Sequence, residues 1–126
     1  MNISIDAWLK EAKQSNNANK VGIWLSHNGT VRSSAKAEVR EGIKSPEVKA
    51  MNISYNQTAL SNLISIAQNM PGIYYLKVEL ANGKLNAGDD IMYVLIGADT
   101  RPHALDTFNY IMDKIKTEII KETELF

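Results

Sequence analysis

Apolar residues spaced three and four apart mark out three helices in this chain. The first carries Ile5, Trp8, Leu9 and Ala12 behind Ser4, a residue suited to capping a helix start. The second sets Leu60, Leu63, Ile64 and Ala67 on one face, with Asn56 or Thr58 as cap, and stops at "NMPG". The third runs from about Arg101 to Ile119, with Leu105, Phe108, Met112, Ile115 and Ile119 forming its apolar stripe. Asp99 or Thr100 caps it, and Pro102 falls in the first turn, where a missing N–H costs little.

Strands are read from β-branched and aromatic density. "VGIWLSH" (21–27), "IYYLKVEL" (73–80) and "DIMYVLIG" (90–97) qualify, and "VKAMNISY" (48–55) alternates more weakly. "ANGKLNAGD" joins two of these with turn signals at Asn82-Gly83 and Gly88-Asp89. From Ser33 to Pro46 the chain is polar and reads as a long loop or irregular excursion. The order of elements predicts an α+β fold: a mostly antiparallel sheet with helices packed on one face. With 126 residues and no internal repeat, one domain spanning 1–126 is expected.

Composition narrows the function classes. Basic and acidic side chains number 14 each, so no chain-wide positive field exists for nucleic acid or acidic lipid. The absence of cysteine excludes disulfides, thiolate metal sites and a cysteine nucleophile. No apolar run approaches the roughly 18 residues of a bilayer span, and "MNISIDAWLKEAKQS" lacks the pattern of a signal peptide. A soluble cytoplasmic protein is expected, with neither nucleic acid nor membrane as partner. His27 and His103 lie far apart without acids at metal-ligand spacing, so no metal and no resident cofactor are expected.

Three cations remain as candidate chemistry. Arg32 follows "HNGTV", where a hairpin turn would explain Asn28 and Gly29 but not the arginine. Arg101 opens the last helix, where free backbone N–H groups favour an anion. Lys116 falls roughly 80° from the centre of that helix's stripe, whereas Lys114 points into solvent. Taken alone, Lys116 reads as a solvated flank that buries its stem. Together the three cations suit a phosphorylated small molecule.

With these residues in view, the chain resembles the large, catalytic subunit of molybdopterin synthase, collinearly from about Val21 to Lys116. "GTVR" (29–32) is similar to that family's strand-end motif, "NGKLNAGDDIMYV" (82–94) to its hairpin and apolar strand, and "RPHALDTFNYIMDKIKT" (101–117) to its last helix. The resemblance implies an α/β hammerhead-like fold and a homodimer within a heterotetramer, with a small ubiquitin-like sulfur-carrier subunit docked at each end. It implies transfer of sulfur from that subunit's C-terminal thiocarboxylate to cyclic pyranopterin monophosphate, giving the molybdopterin dithiolene. Lys116 matches one of two active-site lysines, and Arg32 and Arg101 match substrate-pocket arginines. The second lysine position holds Thr123, with Lys121 two residues away as the candidate replacement; Thr100 and Ile53 stand where the family usually has histidine and glutamate. The alternative is a non-catalytic paralogue of the same fold that binds pterin or a partner.

Overall fold

A computed structural model of the chain describes residues 2–126. Helix α1 (Ile5–Ala12) starts where Ser4 Oγ accepts the Ala7 N–H at 3.2 Å. Strand β1 (Ile23–Thr30), a short helix α2 (Lys36–Glu41) and strand β2 (Ala50–Tyr55) follow. Helix α3 (Gln57–Ala67) is capped by Asn56, whose Oδ1 accepts the Ala59 N–H at 2.9 Å. Next come β3 (Ile73–Leu80), β4 (Gly83–Asn86), β5 (Asp90–Ala98) and α4 (Arg101–Lys114), then a π turn (Ile115–Ile119) and β6 (Ile120–Leu125).

These strands form two antiparallel sheets of three, in the orders β1-β5-β3 and β4-β2-β6. The unbroken apolar run of β5 has a simple cause: the strand is central and covered on both faces. Val94, Ile96 and Ala98 face a core built with Leu60 and Leu63 of α3 and Ala104 and Ile111 of α4. Tyr93 and Leu95 face the other way, against Trp8 and Ala12 of α1. The α+β class and the antiparallel pairing thus hold, while the helices divide: α3 and α4 pack on one face and α1 closes the opposite one.

Four local readings change. The Asn28-Gly29 pair lies within β1, opposite Tyr93 and Met92, and Gly29 has no left-handed backbone. The "ANGKLNAGD" segment is more than a turn, because its middle leaves the first sheet and pairs as β4 with β2. The polar excursion holds the six-residue helix α2. The residues beyond the expected helix end at Ile119, for which no element is predicted, form β6 antiparallel to β2, from Tyr55↔Ile120 to Ala50↔Leu125. The buried face of α4 also differs: Ala104, Thr107 and Ile111 are buried, while Leu105 is 41% exposed. Small residues let the helix lie close to the sheet, and a count of large apolar residues overlooks them.

Candidate active site

Arg32 is delivered by a junction of two of the motifs noted above. The Asn28 side-chain amide donates to Asp90 Oδ1 at 3.1 Å and to the Met92 carbonyl at 3.2 Å. After a register shift between Gly29 and Thr30, the Val31 N–H donates to the Asp89 carbonyl at 3.0 Å. The Gly88 N–H in turn donates to the Val31 carbonyl at 2.8 Å, with Gly88 at φ +92° in the left-handed region. Val31 is buried, so the chain is pinned there and Arg32 emerges next to it, exposed. "GTVR" and "NAGDD" are therefore two halves of one local structure.

Lys116 comes from the π turn. The Ile120 N–H donates to the carbonyl of Ile115, five residues back, which widens the last turn. Ile115 and Ile119 are buried on its inner side. Lys114 points elsewhere, donating to Glu118 Oε1 at 3.2 Å.

Arg32 and Lys116 line the same cavity, of about 460 Å³. Its apolar surface includes Met51, Ile91, Met92, Met112 and Ile115. Two further cations, Lys36 and Arg40 of α2, and two carboxylates, Glu122 and Glu124 of β6, complete the charged part of the lining. The Lys116 ammonium is held below the ordinary lysine pKa, first by desolvation and then by the positive charges of Arg40 and Lys36, with Glu122 opposing. The residue reaches solvent, but its neighbours Met112 and Ile115 strip water from one side. A lysine with a lowered pKa is better placed to exchange a proton near neutrality.

His27 lines the cavity as well, its ring 5.2 Å from that of Phe108. Burial lowers its pKa from 6.5. Between 6.5 and that lower value the unfolded chain binds more protons than the native one, so stability falls as pH drops through the window. His27→Gln should therefore lose less of its urea midpoint than wild type between about pH 7 and pH 5.

The other two expected residues are not brought here. Arg101 begins α4, and fifteen residues of helix rise separate it from Lys116 by roughly 20 Å. Beside it Asp99 Oδ1 accepts the Thr100 N–H at 2.6 Å and pairs with His103 Nδ1 at 2.7 Å. Lys121 is turned away by strand alternation. Ile120, Glu122 and Glu124 face the cavity, whereas Lys121 and Thr123 line a shallow groove with Asn52, Ser54 and Gly83. The lysine and the threonine considered for the second active-site position thus both lie on the far face of β6. Among the described residues no cluster of three or more metal-ligating side chains occurs, and no helix is long and apolar enough to cross a membrane.

The model of the family described as "MoaE protein" matches residues 2–118. The chain belongs to this MoaE family. Its role is accordingly in molybdenum cofactor biosynthesis. The solved structures agree on the fold. Molybdopterin synthase from Staphylococcus aureus superposes with a TM-score of 0.75 at 15% identity, covering 98% of this chain and 85% of that one. Molybdopterin cofactor biosynthesis protein E from Burkholderia multivorans gives 0.72 at 25% identity, covering 98% and 82%. A complex of subunits 1 and 2 of molybdopterin-converting factor from Helicobacter pylori gives 0.70 at 16%, covering 98% and 80%. No curated protein matches the chain.

In this MoaE-family chain the family match stops at Glu118, so the cavity-facing Glu122 and Glu124 lie beyond it. Sequence reasoning missed both acids, together with Lys36, Arg40 and His27. One signal was present: Lys36 and Arg40 stand four apart, the spacing that puts two side chains on one helix face.

Proposed function

We propose that this chain is the catalytic large subunit of a molybdopterin synthase. On this reading it moves sulfur from the C-terminal thiocarboxylate of a small ubiquitin-like partner onto cyclic pyranopterin monophosphate, and water supplies the oxygen that replaces sulfur on the partner's terminus. The observation that carries it is the meeting of Arg32 and Lys116 over one apolar floor. A guanidinium suits bidentate contact with phosphate oxygens. The methionine and isoleucine surface suits a flat ring system. Lys116, with its lowered pKa, suits the transfer of a proton and the stabilisation of oxyanion charge.

The subunit arrangement belongs to the same reading. The two-subunit complex from Helicobacter pylori, which shares this fold, supports a small-subunit partner. A homodimer within a heterotetramer, in the cytoplasm, also gives Arg101 a role. Lying roughly 20 Å from Lys116 along its own chain, it serves the cavity of a second copy.

One observation favours the alternative of a non-catalytic paralogue that binds pterin or partner. Lys121 opens onto the far face of β6, so no second lysine from the tail reaches Lys116. Titration calorimetry with the pterin precursor tests what both readings share. Arg32→Ala should weaken binding by about tenfold or more, the loss expected of one charge-assisted pair; unchanged affinity would remove the phosphate contact.

A further inference from the structure

Helix α2 presents Lys36 and Arg40 to the cavity from one face. The helix is held in place at both ends of its excursion. The Lys36 backbone N–H donates to Glu124 Oε2 at 3.0 Å, fixing the start of α2 to β6. The Val48 N–H donates to the Ser33 carbonyl at 2.7 Å, and Ala35 and Val48 are buried, which closes the stem. These two cations are therefore part of the cavity wall and not the tip of a free loop.

The charge inventory then leaves something over. Arg32, Lys36, Arg40 and Lys116 face two carboxylates, Glu122 and Glu124. Among the described residues the salt bridges lie elsewhere, at Lys77–Glu11, His103–Asp99 and Lys114–Glu118, so none of the four cations is paired within 4.0 Å. With the two carboxylates counted, a single cyclic phosphate held by Arg32 still leaves one positive charge over, on the side of the cavity where Lys36 and Arg40 stand with Lys116.

We propose that Lys36 and Arg40 form a second anion subsite, which receives the terminal carboxylate or thiocarboxylate of an extended peptide. The choice of ligand rests on the sulfur-transfer reading, in which the partner's terminus arrives as a thiocarboxylate and leaves as a carboxylate, an anion in both states. Arg40 offers the planar fork that matches such a group, and Lys36 a second point charge. The pair takes up the anchoring that no lysine of β6 provides. The lowered pKa of Lys116, caused in part by these two charges, is consistent with their closeness.

The test uses the intact protein and a glycine-rich peptide with a free C-terminal carboxylate, compared with the same peptide amidated, by NMR titration to millimolar concentration. The free acid should shift amide signals around α2 and Lys116, and the amide should bind about tenfold more weakly. Lys36→Ala/Arg40→Ala should abolish the discrimination and Arg40→Lys should restore part of it, with the unperturbed spectrum confirming the fold of each variant. Lys114→Ala, whose side chain is paired with Glu118 outside the cavity, should keep it. Equal binding of acid and amide, no binding of the acid, or discrimination that survives the double substitution would each overturn the subsite. Binding of the pterin precursor by wild-type protein is measured in parallel. Its loss with the peptide effect intact would remove the pterin reading alone.

Discussion

Lys116→Ala should lower dithiolene formation by about 100-fold or more, while Lys114→Ala stays within about twofold of wild type. The two lysines are close in sequence and carry the same charge, so the comparison isolates position. Lys116 lines the cavity with Arg32, and desolvation and its cationic neighbours lower its pKa. Lys114 is instead paired with Glu118 outside it. General acid–base assistance and oxyanion stabilisation are each worth roughly 10² or more in rate, and the role proposed for Lys116 draws on both. Equal effects of the two substitutions would take away the special role of Lys116.

The second large effect is on stability. Ile111→Ala should cost about 2–5 kcal/mol, whereas Leu105→Ala should cost less than about 1 kcal/mol. Ile111 is fully buried in the main core, where a truncated side chain leaves a cavity that close packing cannot refill. Leu105 is 41% exposed and loses only part of its contact. Urea denaturation of both variants reads the difference directly. Because α4 leads into the turn that carries Lys116, Ile111→Ala should also release that turn before the rest of the domain unfolds, visible as faster amide exchange over residues 115–119. Similar destabilisation by the two substitutions would return the buried face of α4 to the stripe through Leu105.

How far the sequence could be read depended on how strongly each element is tied to an apolar pattern. The strands of the first sheet were legible because β5 is buried on both faces and β1 and β3 pair along its length. The starts of α1 and α3 were legible from their capping side chains, which make the expected bonds. Strand β6 was not, since four of its six residues, Lys121 to Glu124, are polar and its alternation separates two polar faces. Helix α2 was hidden for a similar reason: its place comes from one backbone bond to Glu124 and a pinned stem, neither of which leaves a periodic trace.

The site divided along the same line. Arg32 and Lys116, singled out as cations and given roles by the family resemblance, do meet. Asn28 and Gly29 proved to be strand residues; the Asn28 amide binds Asp90 and Val31 bonds with Gly88 and Asp89, and these contacts position the arginine. Arg101 and Lys121 lie on other surfaces of the same chain, one by helix length and one by strand parity. Parity cannot be judged until the tail is known to be a strand, which is why Lys121 looked suitable.

The most direct measurement of sulfur transfer is a single-turnover reaction of wild-type protein with cyclic pyranopterin monophosphate and a thiocarboxylated small subunit, followed by mass spectrometry of the pterin. The expected product is a pterin carrying two sulfur atoms taken from the small subunit's terminus. Pterin that is bound by the protein yet recovered without sulfur would contradict the transfer and leave a binding module in the place of an enzyme.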